Sequence, residues 1–304
     1  MDNEVIVPDA ESDTTVSLHR LVRAAADRLV EAGIPPEEAR LDAELFARQA
    51  LGWDRASFIV HERDATPPGF ATRFEPLVAR RVRREPVAHV LGRSEFWGLE
   101  LEITPDVLIP RPETELIVEE ALVRFTPPSQ PSLVADVGTG SGCLAIALAL
   151  AFPSARVVAT DVSDRAIEVA RRNARRHAVD ERIAFHVGAL LHTVEAPDLV
   201  VSNPPYVPER DRATLQPEVR DFEPAEALFG GEDGFDVIRA LVHDARARVR
   251  RDAWLVFEFG FGQEHEVRAL LEGDREPDGR VAWAEVAVRH DLQGIPRVVA
   301  ARRA

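Results

Sequence analysis

The chain has 304 residues and a formal charge of −15, an acidity that argues against a partner gripped mainly through phosphates and so against DNA as a direct substrate. Hydrophobic residues make up 45 % and charged residues 29 %, enough apolar material for one or two cores without disulfide or metal staples. All 37 basic residues are Arg, so chemistry that needs a lysine amine, such as Schiff-base catalysis or a Walker-type phosphate loop, is excluded.

Met1 to Thr15 is acidic and polar, and residues 1–16 read as a disordered tail. From Ser17 the pattern is helical: Leu18, Leu21, Val22, Ala25 and Leu29 share a face, and Gly33 supplies a stop. A second helix opens at Pro35-Pro36-Glu37-Glu38, with proline and acid in its first turn. It carries Leu41, Leu45 and Leu51 as core residues and ends at Gly52. A third spans about Pro68 to Arg84. Residues 17–88 are thus expected to form a small helical domain. Residues 89–110 read as a β-hairpin connector that turns at Phe96-Trp97-Gly98 and continues in the alternating Leu99 to Ile103. Phe96 and Trp97 suit either the site or the core.

Residues 111–304 alternate strand and helix. Strands are expected at 133–137, 157–161, 183–187, 198–202 and 253–259, with a final pair near 281–289 and 295–301. Helices fit at 113–125, 142–151, 164–177, 234–250 and 262–272. Such alternation predicts a mostly parallel sheet covered on both faces. The last two strands have no helix between them and should pair antiparallel. Leu144 to Phe152 is the most apolar run; it is too short to cross a membrane and reads as a buried helix. With one cysteine, Cys143, and no leader-like segment, the expected location is the cytoplasm. Cys143 itself is expected to be a small core residue. The nine His show no metal-ligand spacing, so no metal is expected.

Two motifs carry the chemistry. The strand Leu133 to Val137 runs into Gly138-Thr139-Gly140-Ser141-Gly142 and then a helix. Glycines there allow a sharp turn and close approach of backbone to a ligand. Asp161 ends the next strand, where an acid accepts hydrogen bonds from ribose hydroxyls. Alone this arrangement does not choose between NAD and S-adenosylmethionine, although the Gly-x-Gly-x-Gly spacing tilts away from a pyrophosphate cofactor. The second motif, Asn203-Pro204-Pro205-Tyr206, leaves the carboxyl end of the 198–202 strand, where ligands of open α/β sheets bind.

An amide nitrogen is a weak nucleophile that must be held in line with the methyl group it attacks. Asn203 offers a side-chain carbonyl to one amide hydrogen, and Pro204 a backbone carbonyl at a fixed angle to the other. Pro205 stiffens the turn and restricts Pro204 to an extended conformation. Tyr206 can stack on the planar amide. A proline turn with Tyr206 merely packing is the structural alternative.

Gly-Thr-Gly-Ser-Gly followed by Asn-Pro-Pro-Tyr resembles the amino methyltransferases. Leu91-Gly-Arg-Ser-Glu-Phe96, Leu108-Ile-Pro-Arg-Pro-Glu-Thr-Glu115, Pro217-Glu-Val-Arg220, Phe222-Glu-Pro224, Glu258-Phe-Gly260 and Gly294-Ile-Pro-Arg-Val298 narrow the resemblance to the bacterial release-factor glutamine methyltransferases (the HemK/PrmC family). The likeness runs from about Ser17 to the C-terminus. It implies a class I, Rossmann-like α/β domain at 111–304 with a seven-stranded sheet, preceded by a helical substrate-docking domain. It also implies N5-methylation of the glutamine in the Gly-Gly-Gln loop of peptide chain release factors. A monomer is expected. Gly138, Thr139, Gly140, Ser141, Gly142, Asp161, Leu190 and Asn203 would hold S-adenosylmethionine; Asn203, Pro204, Pro205 and Tyr206 would hold the glutamine.

The sequence departs from the family pattern at Gly188-Ala189-Leu190-Leu191, where the family has an acid at the second position. Ala189 removes a side-chain acceptor for the adenine amino group. Other readings are a ribosomal-protein glutamine, adenine N6 as substrate, or a nucleoside-binding module without catalysis. The Arg runs at 80–84 and 171–176 read as solvated faces, the first also as a contact for a release factor or RNA. Residues 207–233 read as a long loop that covers the glutamine.

Overall fold

The computed structural model describes residues 17–126, 129–192 and 194–304, so the tail expected over 1–16 lies outside them. The chain divides into two compact units, with the boundary between Leu91 and Gly92.

The first unit contains α1 (Leu18–Glu31), α2 (Pro36–Leu51), α3 (Arg55–His61), α4 (Phe70–Val82) and α5 (Val87–Leu91). Helix α1 buries Leu18, Val22, Ala25 and Leu29, the face its spacing marks out. Helix α2 differs from the expectation: Leu41 is 50 % exposed and Leu45 36 %. It buries Ala39, Ala43, Phe46, Ala47 and Ala50 instead. Small residues let its backbone approach the neighbouring helices, and Phe46 fills the space they leave.

Helices α3 and α5 were not legible in the apolar pattern. Asp54 starts α3 by accepting from the Ser57 amide at 2.7 Å. The Arg run at 80–84 is not a solvated face. Arg81 is fully buried and donates to Asp42 and to Glu38, each at 2.7 Å. Arg80 donates to Glu85 and to the carbonyls of His89 and Val90. These guanidiniums tie α4 to α2 and to the segment carrying α5.

The second unit opens with the hairpin of β1 (Arg93–Phe96) and β2 (Leu99–Glu102), paired antiparallel. Trp97 and Gly98 both have positive φ, 55° and 70°, as a two-residue turn matched to strand twist requires. Phe96 is buried in the core. The second Arg run fastens this hairpin: Arg172 pairs with Glu102 at 2.9 Å and Arg176 with Glu100 at 3.2 Å.

The remaining elements are α6 (Glu115–Arg124), β3 (Leu133–Val137), α7 (Cys143–Ala151), β4 (Arg156–Asp161), α8 (Asp164–Arg176), β5 (Ile183–Val187), β6 (Leu199–Ser202), α9 (Pro217–Phe222), α10 (Ala225–Leu228), α11 (Asp236–Arg248), β7 (Trp254–Glu258), α12 (Glu264–Gly273), β8 (Trp283–His290) and β9 (Pro296–Arg303). The seven-stranded sheet has the order β5-β4-β3-β6-β7-β9-β8. The first five of these are parallel, and β9 pairs antiparallel with both β7 and β8, as the missing helix between the last strands predicts. Strands β6 and β7 are buried at every position, which is why they read as unbroken apolar runs.

Strand β3 lies between β4 and β6, so the order reverses there and opens a crevice at the carboxyl ends of these strands. The segment 207–233 is not a featureless loop. It holds a 3-10 turn at Glu209–Thr214, then α9 and α10, and a bridge between Val207 and Phe229. Each piece is too short to show a helical period. Among the described residues, no helix is long and apolar enough to cross a membrane.

Candidate active site

At the crevice lies a cavity of about 390 Å³, a volume typical of small-molecule sites. Gly138, Thr139, Gly140, Ser141, Asp161, Leu190, Asn203 and Pro205 line it. Gly142, Pro204 and Tyr206 do not. Tyr206 lines a neighbouring hollow with Phe261 and Gln263. The two motifs read from sequence therefore meet at one cavity, and residues from 106–110, Thr114 and residues from 224–240 complete its wall.

The glycine turn separates two tasks. Gly138 and Gly140 have φ of 72° and 55°, and a Cβ on either would enter open space on the cavity side. A Cβ on Gly142 would meet Ala170 of α8 at 3.1 Å, so this glycine serves helix packing. Asn173, fully buried on α8, fixes the turn from behind. Its Nδ2 donates to the Ser141 carbonyl at 2.9 Å and the Glu102 carbonyl at 3.0 Å, while its Oδ1 accepts from the Glu102 amide at 2.7 Å.

Asp136 lies under the turn, 1 % exposed. Its Oδ2 accepts from Thr139 Oγ1 at 2.6 Å and the Ala145 amide at 3.0 Å, but Oδ1 has no hydrogen-bond partner among the described residues. Burial pushes its carboxyl up to about 7, against the pull of those two donors. Ser141 Oγ is likewise buried without a hydrogen-bond partner among the described residues. Cys143 lines the cavity rather than the deep core, and burial pushes its thiol up to about 12, away from thiolate chemistry.

Asp161 ends β4 and accepts from the Gly140 amide and the Ser163 amide, both at 2.9 Å. Burial raises its carboxyl above the ordinary range, opposed by those amides; Glu226, which lines the cavity, raises it further. Beyond it, Leu190 has φ of 53°, a left-handed conformation held by Thr160 Oγ1 donating to its carbonyl at 2.9 Å. Ala189 also lines the cavity.

Around Asn203 a buried polar network forms. Asn203 Nδ2 donates to Thr114 Oγ1 at 3.0 Å. Thr114 Oγ1 donates to Glu258 Oε2 at 2.7 Å, and the Tyr206 hydroxyl donates to Glu258 Oε1 at 2.9 Å. Glu258 is 2 % exposed at the end of β7. Burial raises its carboxyl, while Thr114 and Tyr206 draw it back. Burial and the facing Glu258 carboxylate raise the Tyr206 phenol, so it remains a donor. Ser202 Oγ donates to the Val137 carbonyl at 2.8 Å and locks β6 to β3 just before the motif.

Thr114, Glu258, Asp136 and Asn173 were missed as contributors. Thr114 and Glu258 stand inside the motifs that carried the family resemblance, and that was the available signal. Phe96 and Trp97 do not line the cavity. Among the described residues, no three or more His, Cys, Asp or Glu are grouped to hold a metal ion.

A parallel sheet reversing at β3, with a glycine turn and an acid at the ends of adjacent strands, defines a class I methyltransferase domain. Family models agree: the PrmC N-terminal domain matches residues 20–92 and the Methyltransferase small domain residues 117–219. A release factor glutamine methyltransferase from Geobacter sulfurreducens is 42 % identical over 276 residues, covering 90 % of this chain and 92 % of the relative. One from Bradyrhizobium diazoefficiens is 39 % identical, covering 95 % of this chain and 96 % of the relative. The solved methyltransferase from Pyrococcus furiosus shares the fold, with a TM-score of 0.50 at 18 % identity over 75 % of this chain and 98 % of that one. The chain belongs to the release factor glutamine methyltransferase family.

Proposed function

We propose that this chain transfers a methyl group from S-adenosylmethionine to the side-chain amide nitrogen, N5, of the glutamine in the Gly-Gly-Gln loop of peptide chain release factors. The observation that carries the reading is that Asn203 and the glycine turn line one cavity, in a chain whose relatives across nearly its whole length are release factor glutamine methyltransferases.

The residues present fit the methyl donor. Gly138 and Gly140 leave room for a ligand against the backbone. The unpartnered Asp136 Oδ1 beneath the turn attracts the donor's ammonium group. Asp161 keeps lone pairs for ribose hydroxyls, and Leu190 supplies an apolar face for adenine. When bound, the donor supplies an electrophilic methyl group on a sulfonium.

The chain's own work is to hold the amide. The Asn203 side-chain carbonyl and the Pro204 backbone carbonyl accept the two amide hydrogens. That fixes the amide plane and aims its nitrogen at the methyl group. Tyr206, which lines the neighbouring hollow rather than the cavity, braces the turn from behind through its hydrogen bond to Glu258. Methylation makes the nitrogen proton acidic enough for water to remove, so no strong base is required beforehand.

The test is transfer of tritiated methyl to a purified release factor, to its Gln→Ala variant and to duplex DNA. Label on the unmodified release factor alone is expected. Label on DNA with none on the release factor would refute the reading and favour a nucleobase amino group.

A further inference from the structure

We propose that Thr114 and Glu258 are positioning residues that set the polarity of the Asn203 amide and thereby make the site select an amide over a carboxylate. The proposal rests on the reading that Asn203 holds the substrate glutamine.

The argument is one of counting hydrogens. Glu258 is buried and faces two hydroxyls, Thr114 at 2.7 Å and Tyr206 at 2.9 Å. Each hydroxyl carries a single hydrogen. Each oxygen of the Glu258 carboxylate accepts from one of them. Thr114 has then committed its only hydrogen to Glu258, and its oxygen presents lone pairs to everything else. Asn203 approaches that oxygen at 3.0 Å and must present its NH₂. Its carbonyl is thereby turned away from Thr114.

An asparagine amide has nearly the same shape in its two orientations, and shape alone does not choose between them. The choice comes from Glu258, relayed through Thr114. A carbonyl offered to the ligand attracts the N–H of an amide and repels the oxygens of a carboxylate. The reverse orientation would offer N–H and favour the carboxylate. Glutamine and glutamate differ in size by almost nothing, so discrimination between them must be electrostatic. Thr114 lies 89 residues from Asn203, and β7 brings Glu258 to Thr114 across 144.

The experiment measures binding of a release factor and of its Gln→Glu variant, each with S-adenosylhomocysteine present, to the wild-type protein, Thr114→Val and Thr114→Ser. The wild type is expected to prefer glutamine by at least about tenfold. Thr114→Val keeps the side chain's shape and lets Asn203 turn, so the preference should fall to about threefold or less. Thr114→Ser returns the hydroxyl and should restore it. A structural role for Thr114 would weaken both ligands alike and leave the ratio in place. An unchanged ratio in Thr114→Val, or no restoration in Thr114→Ser, overturns the proposal. Methyl transfer by the wild type is recorded in parallel: its absence would overturn the underlying reading and this proposal with it, whereas transfer with an unchanged ratio overturns this proposal alone.

Discussion

Arg111 and Glu223 form an ion pair at 2.5 Å although 112 residues separate them. Glu223 is buried and also accepts the Ile109 amide at 3.1 Å. The pair joins the segment before α6 to the segment after the Asn-Pro-Pro-Tyr turn, and both border the cavity. Removing the acid leaves a part-buried guanidinium and a buried amide unsatisfied. Glu223→Ala should therefore lose about 2 kcal/mol of stability. It should also raise the KM for S-adenosylmethionine, because the cavity wall at Pro224 to Ala227 loses its anchor. Urea unfolding and steady-state kinetics check both; wild-type values in each would remove the anchoring role.

Asn203→Ala should lower turnover by at least about a hundredfold, the scale of losing a pre-organised hydrogen-bonding group. Binding of S-adenosylmethionine, followed by calorimetry, should change by less than about threefold. Full activity in this variant would withdraw the role assigned to Asn203.

Asp136 gives a pH signature. Its folded carboxyl is raised to about 7 from an ordinary value of 3.8, so the folded state holds its proton more tightly than the unfolded chain. That contribution to stability is complete below about pH 3.8 and is lost as pH rises to about 7. Asp161 shifts in the same direction. Asp136→Asn removes the buried charge, and Asn can still accept from Thr139 and Ala145. The variant, free of ligand, should be more stable than the wild type at pH 8 by a few kcal/mol (about 1.4 per pKa unit) and should lack part of the decline between pH 4 and 7. It should also bind S-adenosylmethionine more weakly. Melting temperatures across pH would show parallel curves if Asp136 did not titrate in this range.

Asn173→Ala strips acceptors and donors from three backbone groups at once, two of Glu102 and one of Ser141. The expected loss is about 3 kcal/mol. Because one of those groups belongs to the glycine turn, affinity for S-adenosylmethionine should fall as well, by about tenfold. A stability loss with unaltered affinity would show that the turn keeps its shape without Asn173.

Ala189→Asp should tighten S-adenosylmethionine binding about three- to tenfold, by giving the adenine amino group an acceptor where the family resemblance places an acid. Ala189 lines the cavity, so the new carboxylate meets the ligand. Unchanged affinity would place the adenine elsewhere than against residues 188–190.

The parts legible in the sequence were those written in local patterns. The apolar runs of β3, β6 and β7 announced a doubly covered sheet, and the glycine turn and Asn203 to Tyr206 announced their own positions at strand ends. Helix α2 misled because it has leucines on one side and alanines on another, and hydrophobicity alone favoured the leucines. Close packing favoured the alanines. Short elements such as α3, α5, α9 and α10 span too few turns to show a period. The partners of Asn203 were out of reach because nothing near position 203 points to positions 114 and 258. Only the sheet order brings the ends of β6 and β7 side by side.

Tyr206 is the chain's single tyrosine, and its hydroxyl donates to the carboxylate that orients Asn203. Biosynthetic replacement of tyrosine by 3-fluorotyrosine therefore places one fluorine in the whole molecule, beside the proposed glutamine pocket. Its resonance would report arrival of substrate and turnover with no assignment step and no background.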